Sequence, residues 1–447
     1  MSGKVEKFLE TLIVILILYL LYGMYEPQIH KLTAEIRKSV QQTEQQETAL
    51  AEAPDTEGTL PAAYDNRETG KAPAVKNQGN LGTCWALAAT SALEANLRPD
   101  EIWDFSADHM SMQNGYDKNQ NDGGAYTMAM SYLASWTGPV REEDDVYGDG
   151  YSPDNLSPVK HVQEMHMIKD GTLDEIKREI YRYGAVQSSV YVDTQGSLEG
   201  SVYYSQLNNS YCYTGDEPAN HDILIIGWDD YYAAENFTYQ VRNDGAFICQ
   251  NSWGSRFGED GIFYVSYEDA LITDCCVSYA AVEDTDNYAN IYQTDLCGWV
   301  GQLGYNSSEC YFANVYTPQG TESLEAVGFY ATGPNTTYEI YVAAQFEDTS
   351  SLVVWEPAAT GRFDLAGYYT VTLPEPVVLT AGQPFAVIVK IRTPDTLYPV
   401  AAEYQADENT AGVIISDGEG YISQTGYVWT RAEESYGCNV CLKAYTS

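Results

Sequence analysis

The stretch VKNQGNLGTCWA, from Val75 to Ala86, carries the strongest structural signal in the chain. Cys84 begins a run of helix formers and apolar residues, CWALAATSALEANL, which predicts a helix from Cys84 to Leu97. The N-terminus of a helix stabilises negative charge and therefore favours the thiolate form of a cysteine placed there. Turn-forming residues, Gly82 among them, precede Cys84 and let the backbone bend close to a bound substrate. The stretch predicts a nucleophilic thiol, and the alternative is a buried structural cysteine.

Gln78 lies in the same stretch, shortly before Cys84. Its side-chain N–H and the backbone N–H of Cys84 would both reach the oxygen of a carbonyl that the thiol attacks. An oxyanion that develops during such an attack needs donors already in place. We therefore expect Gln78 and Cys84 to form an oxyanion hole.

A second informative stretch is ANHDILIIGWDD, from Ala219 to Asp230. His221 stands at the start of its apolar strand, at the rim of a core, where an imidazole is partly buried and still faces a cleft. The chain has five histidines, and the sequence around three of the other four suggests polar surroundings (His109, His161 and His166). His221 is therefore the candidate proton acceptor for the thiol, against the alternative of a histidine with only a structural role.

The third stretch, FICQNSWGSRFGEDGIFYVSY, runs from Phe247 to Tyr267. Asn251 follows a strand, and its side-chain oxygen can accept from one imidazole nitrogen so that the other faces the thiol. Trp253 would shield that hydrogen bond from water. The alternative interpretation is a plain turn between two strands.

Together the three stretches resemble the papain-like cysteine peptidases, in which a glutamine, the cysteine, a histidine and an asparagine follow in that order. The resemblance covers residues 61–283 and implies a fold with a helical lobe, a β lobe and a cleft between them. It implies that Gly123 and Gly124 bind the substrate backbone, and that Asn220 lines the pocket for the second residue upstream of the cut. It also implies peptide hydrolysis through a thioester on Cys84, with no metal and no other cofactor. Leu81 departs from the family, which usually has a cysteine there.

The order of predicted elements agrees with this α+β fold class. Two further helices are predicted, from Ala125 to Trp136 and from Leu173 to Tyr183, the second capped by Thr172. Strands are predicted next, and beyond residue 284 we expect only short alternating strands between Gly, Pro, Asn and Asp. Residues 284–447 are therefore predicted to form an all-β sandwich without a helix.

The sandwich region resembles the lectin-like domain that follows some bacterial and archaeal papain-type peptidases, chiefly through LEAVGFY at 324–330. This resemblance leaves a glycan or a protein open as its ligand. It also leaves open a role in packing or in positioning the substrate, and no ligand residues are predicted.

The first 60 residues differ from the rest. An apolar run, TLIVILILYLLYGMY from Thr11 to Tyr25, follows Lys4 and Lys7 and is close to the minimum length for a membrane-spanning helix. We expect an uncleaved signal anchor rather than a cleaved signal peptide, because no small residues suitable for cleavage follow the run. A stalk rich in Glu and Gln comes after it. The expected location is the cell membrane, crossed once, with the catalytic region outside.

Charge and cysteine content narrow the possibilities further. The formal net charge is −41, which leaves no basic surface for a nucleic acid. A preference for basic substrates is one consequence of this charge, and simple solubility is another. The nine cysteines permit disulfides in an oxidising location, including a loop staple between Cys297 and Cys310. The single CxxC of Cys438 and Cys441 cannot complete a zinc site.

Two rival functions remain open at this stage. One is a surface adhesin, in which the peptidase fold is a scaffold and the C-terminal domain binds a glycan or a protein. The other is a transpeptidase, in which an amine takes the place of water at the thioester. The presence of the four site residues favours a working cysteine endopeptidase at the cell surface over the adhesin.

Overall fold

A computed structural model describes residues 58–193, 198, 200–238, 241–415 and 418–447. The predicted signal anchor and nearly all of the stalk lie outside the described residues. Residues 61–447 form one compact unit. None of the helices in the described ranges is long and apolar enough to cross a membrane.

The helices lie mainly in the first third of this unit: α1 (Asn66–Thr69), α2 (Cys84–Leu97), α3 (Ala107–Met112), α4 (Tyr126–Ala134), α5 (Leu173–Tyr183) and α6 (Ala432–Tyr436). The prediction for α2 is confirmed at both ends, and nearly all of its residues are buried. Helix α5 begins with the predicted cap, since Thr172 and Glu175 each bond the other's backbone N–H in a capping box. Helix α6 corrects the expectation that no helix follows residue 284.

The first group of strands comprises β1 (Ala63–Asp65), β2 (His161–Lys169), β3 (Val186–Val190), β4 (Tyr204–Ser205), β5 (Ser210–Tyr211), β6 (His221–Asp229), β7 (Ala246–Gln250), β8 (Ile262–Ser266) and β9 (Cys275–Glu283). The second group comprises β10 (Asn290–Tyr292), β11 (Gly301–Leu303), β12 (Glu309–Tyr316), β13 (Glu322–Ala331), β14 (Thr336–Ala343), β15 (Ala359–Phe363), β16 (Ala366–Leu379), β17 (Phe385–Arg392), β18 (Val400–Glu403), β19 (Gly420–Ser423), β20 (Thr430–Arg431), β21 (Asn439–Val440) and β22 (Leu442–Thr446).

One sheet runs through both parts of the unit. Its strands follow the order β10-β22-β13-β16-β2-β9-β3-β6-β7-β8-β5-β4, with β1 on β6. A second sheet, β15-β14-β17-β12-β19-β20, packs over the end formed by β13 and β22, and Phe312, Phe329, Val389 and Leu442 share the core between the two. The predicted sandwich is therefore confirmed. The sheet that it shares with residues 61–283 is a further finding.

The seam between the two parts is the pairing of β2 with β16, in which His166 lies opposite Gly367. His109, His161 and His166, for which the sequence suggested polar surroundings, are all buried. Each finds a hydrogen-bond partner inside the protein, respectively the Tyr132 hydroxyl, the Asn287 side chain and two glutamates. Apart from Glu164, which lies on the same strand as His166, these partners come from other segments, so local sequence polarity did not reveal them.

All nine cysteines are free thiols in the structure. The proposed staple between Cys297 and Cys310 is not formed. The Cys297 thiol donates to the Gly115 carbonyl at 2.9 Å, whereas the Cys310 thiol contacts the Ser423 carbonyl inside the sandwich.

Candidate active site

Cys84 is the first residue of α2, and its thiol faces an open groove of about 880 Å³. Thr83 precedes it as the buried N-cap, and its hydroxyl bonds the hydroxyl of Tyr147. The carbonyl of Thr83 accepts from the third and fourth N–H groups of the first turn, so the N–H groups of Cys84 and Trp85 remain near the sulfur. The sequence thus places the thiol where the helix N-terminus is most positive.

Gln78 is fixed from several sides next to this thiol. Its Oε1 accepts from the Ser252 hydroxyl at 2.7 Å, and its Nε2 donates to the Leu81 carbonyl at 2.9 Å. Its backbone N–H donates to the Ser252 carbonyl at 2.8 Å, and its carbonyl accepts from the Tyr147 hydroxyl at 3.0 Å. An amide nitrogen carries two hydrogens, so the second is the one that would reach an oxyanion.

His221 and Asn251 form the pair that the sequence predicted. Nε2 of His221 donates to Oδ1 of Asn251 at 2.9 Å, which leaves Nδ1 as the acceptor nitrogen. The ring of Trp253 stacks on the imidazole with centroids 4.7 Å apart, and both partners of the hydrogen bond are buried. The Ser252 N–H also donates to Asn251 Oδ1 at 2.8 Å and orients the amide.

The predicted substrate-binding glycines line the same groove. A Cβ on Gly82 would stand 2.8 Å from the backbone nitrogen of Gly123, and a Cβ on Gly124 would stand 2.2 Å from Nε1 of Trp85. Gly123 also has a φ of 75°, a conformation that L side chains rarely adopt. These contacts require glycine, and they leave the backbone exposed along the groove.

Nearly all of the predicted site residues line this groove, namely Gln78, Gly82, Cys84, Gly123, Gly124, Asn220, His221 and Trp253. Asn251 lies behind His221, outside the groove. The side chain of Asn220 bonds both backbone groups of Val192, at 2.7 and 3.0 Å, so it holds the loop at the groove edge.

Burial favours the neutral forms of the reacting pair. Burial raises the pKa of the Cys84 thiol to about 11, the Asp222 carboxylate adds to this, and the backbone N–H groups of Asp222, Trp85 and Cys84 oppose it. Burial lowers the pKa of His221 to about 4, although the bond to Asn251 works in the other direction. At neutral pH the imidazole is therefore uncharged, with one ring nitrogen unprotonated, and the thiol keeps its proton.

Three side chains that shape this site were not predicted from the sequence: Ser252, Tyr147 and Asp222. The first two orient Gln78 and come from separate segments, so no local pattern shows their role. Asp222 had a visible signal, since it is a carboxylate at the head of an otherwise apolar strand. Within the described ranges, no group of histidine, cysteine and carboxylate side chains is arranged to hold a metal ion.

Comparison with known proteins places this geometry in a family. The sequence profile of the papain family cysteine proteases matches residues 60–284. The chain belongs to the papain family. A second profile, of a lectin-like domain, matches residues 291–446.

Individual relatives of this papain-family chain include a probable cysteine protease, RD19B, of Arabidopsis thaliana, 24% identical over 46% of this chain and 58% of the relative. A viral cathepsin of the Spodoptera exigua nuclear polyhedrosis virus is 27% identical over 48% of this chain and 59% of that protein. The chain therefore spans about three fifths of the length of the curated relatives it matches.

Solved structures resemble the whole two-part arrangement. The clostridial cysteine protease Cwp84 after propeptide cleavage aligns with a TM-score of 0.75 at 25% identity, over 86% of this chain and 99% of that one. The cysteine protease and lectin-like domains of Cwp84 from Clostridium difficile align with a TM-score of 0.74 at 24% identity, over 87% and 89%. The papain-like fold followed by an all-β lectin-like domain is thus shared with these structures.

Proposed function

We propose that this protein is a cysteine endopeptidase that hydrolyses peptide bonds through a thioester on Cys84. The observation that carries the proposal is the orientation of His221. Its Nε2 is bonded to Asn251, so its acceptor nitrogen is free to serve the thiol of Cys84 in the same groove.

In the proposed reaction the sulfur of Cys84 attacks the peptide carbonyl carbon while Nδ1 of His221 takes the thiol proton. The carbonyl oxygen becomes an oxyanion that accepts from the side chain of Gln78 and the backbone N–H of Cys84, each contributing on the order of 3 kcal/mol. The imidazolium then protonates the leaving amine, and the C–N bond breaks to give the thioester. Water, activated by His221, adds to the thioester and releases the acid and the thiol.

The resting charge state follows from the same environment. Burial works against both charges of a resting thiolate–imidazolium pair. We infer that the pair forms during the attack, when the proton passes from the sulfur to the ring. The N–H groups at the start of α2 and on Asp222 then stabilise the developing thiolate.

The proposed location is the outer face of a cell membrane. Two features support it: the apolar run from Thr11 to Tyr25, and the similarity to Cwp84, which is described as a surface layer associated protein. The domain boundaries proposed for this arrangement are residues 1–60 for the anchor and stalk, 61–283 for the peptidase and 284–447 for the lectin-like part.

The test compares two thiols that line the same groove, Cys84 and Cys275. Purified wild-type protein, Cys84→Ala and Cys275→Ala are incubated with a peptide library, and the products are identified by mass. We expect cleavage by the wild type and by Cys275→Ala, and none by Cys84→Ala. Cleavage by Cys84→Ala at the wild-type rate would contradict the proposal. A second assay adds a free amine to the wild-type reaction, and an amine-coupled product would show that the thioester also supports transpeptidation.

A binding role for the lectin-like part is a second candidate, favoured by one surface feature. Trp355 and Tyr427 are 72% and 57% exposed, and their ring centroids lie 5.6 Å apart beside a small cavity. Exposed aromatic rings of this kind suit a sugar face or an apolar side chain. Glycan-array binding by the wild type that disappears in Trp355→Ala would support this role.

A further inference from the structure

Asp222 is a partly buried carboxylate directly beside the reacting residues. It follows His221 on β6. Its Oδ1 accepts from the Ser189 hydroxyl at 2.6 Å, and its Oδ2 accepts from Nε2 of Gln187 at 2.7 Å. Both donors are neutral, and among the residues that the structure describes no lysine or arginine forms an ion pair with it. Burial raises the pKa of this carboxyl group, and the two hydrogen bonds oppose that rise.

The carboxylate lies close to the nucleophile and opens to the groove. The backbone N–H of Asp222 lowers the pKa of the Cys84 thiol, whereas its carboxylate raises the pKa values of Cys84, Tyr126 and Cys275. These three side chains line the groove together with Asp222. A charge at this place is therefore close to the bond that Cys84 would attack.

The surroundings of Asp222 suit a long side chain that ends in a cation. Tyr126, Leu271 and Cys275 offer apolar surface for an aliphatic stem, while Ser189 and Asp222 offer polar groups at one end. The groove is also lined by the carboxylates of Asp122, Asp193 and Asp274, and no lysine or arginine is among its lining residues. The cation that acts on Cys275, Lys169, lies over the ring of Trp299 at 5.3 Å.

An unpaired carboxylate at this position works against catalysis unless something balances it. A carboxylate that is partly removed from water without a counter-ion is destabilised, and this one also raises the pKa of the attacking thiol. A cationic group of the substrate would remove both penalties at once. The carboxylate is therefore better explained as part of a substrate pocket than as part of the hydrolytic chemistry.

We propose that Asp222 selects substrates that carry a lysine or arginine within two residues of the scissile bond. The cation binds the Asp222 carboxylate, and its stem packs against Tyr126 and Leu271. The inference rests on the proposed peptidase function and adds its substrate class.

The first test needs only the wild-type protein. Matched fluorogenic peptides carry lysine or norleucine, and arginine or citrulline, at each of the two positions on either side of the cut. At one position we expect kcat/KM to be about 10-fold to 100-fold higher for the charged member, the range of a hydrogen bond to a charged group. Equal kcat/KM within each pair at every position would overturn the inference and leave the peptidase function intact. Failure to cleave any peptide would instead overturn the proposed function.

The second test compares two carboxylates in the same groove. Asp222→Asn is expected to bring the lysine-to-norleucine ratio close to one. Asp122→Asn removes the same charge from another lining residue of the groove, where Asp122 accepts from Asn119 at 2.9 Å, and is expected to keep the ratio. An unchanged ratio in Asp222→Asn, or an equal loss in both variants, would overturn the assignment to Asp222. Because the wild-type ratio is measured independently, it decides the preference even if Asp222→Asn does not fold.

Discussion

Two buried histidines in this molecule have opposite protonation behaviour. His221 in the groove is bonded to the neutral amide of Asn251, and burial lowers its pKa to about 4. His166 at the seam lies between Glu164 at 2.6 Å and Glu179 at 2.8 Å. Burial lowers the pKa of His166 too, but the hydrogen bonds to the two glutamates outweigh it and raise the pKa to about 9. The partner, rather than burial alone, decides which form each histidine keeps.

The difference matches what each region does. A neutral imidazole in the groove can accept a proton from a thiol, as the proposed chemistry requires. A charged imidazole at the seam holds β2, which carries His166 and Glu164, against α5, which carries Glu179. Because β2 lies between β9 and β16, this ion pair also supports the connection between the catalytic part and the lectin-like part.

The largest effect is expected from His221→Ala. Loss of the proton acceptor should lower kcat/KM by about 1,000-fold or more, since general base catalysis and the nucleophile act together. The measurement is peptide hydrolysis by the purified variant, with circular dichroism to show that it is folded. His166→Gln is the control and should retain activity within a few-fold. A similar loss in both variants would mean that the two histidines do not have separate roles.

His166→Gln should instead lower the stability, and the loss should depend on pH. Because the folded pKa of about 9 exceeds the ordinary value of about 6.5, the charged imidazole stabilises the folded state fully below pH 6.5. This contribution, on the order of 3 kcal/mol, disappears as the pH rises through 9. Urea unfolding at pH 6 and pH 9.5 should therefore give a difference between wild type and variant that shrinks at the higher pH.

The matched control for this measurement is His161→Gln on the same strand. Burial lowers the pKa of His161, so this imidazole is already neutral above pH 6.5. The effect of His161→Gln on the free energy of unfolding should therefore not fall between pH 6.5 and pH 9.5. The same pH dependence in both variants would show that the carboxylates beside His166 are not its cause.

The smallest effect tests directly whether the hydrogen-bond partner of a buried histidine sets its pKa. Asn251→Asp gives His221 a carboxylate partner, as His166 already has. In the wild type kcat/KM should fall as the pH drops through about 4, because a protonated imidazole cannot accept the thiol proton. In the variant this acid limb should move up by at least about one pH unit, as expected for an added carboxylate. Asn251→Ala should hydrolyse peptides more slowly, but its acid limb should not move to higher pH. An acid limb that stays near pH 4 in Asn251→Asp would show that the partner does not set the pKa of His221.

In the catalytic part, helices and strands could be predicted from the sequence where they depend on local patterns. The helix that begins at Cys84, the cap of α5 by Thr172, and the strand that begins at His221 each depend on neighbouring residues. The hydrogen bond between His221 and Asn251 was also predicted, because the residue types and their order left few alternatives.

The pairing of β2 with β16 at the seam could not be predicted in the same way. The sequence of β2, HVQEMHMIK, looks polar, yet most of its side chains are buried against partners from distant segments. Gln163, for example, accepts from the Thr370 hydroxyl at 2.7 Å, from a residue 207 positions away. Local periodicity carries no information about such a partner, so neither the strand nor the shared sheet was predicted.

Reaction with the epoxide E-64 tests the central claim, that Cys84 is the nucleophile and His221 its proton acceptor. Wild-type protein is labelled at pH 7, digested and mapped by mass spectrometry. We predict one adduct, on Cys84, that is strongly reduced in His221→Ala, while Cys275 in the same groove stays unmodified. A label on Cys275, or labelling of Cys84 at an unchanged rate in His221→Ala, would contradict the account.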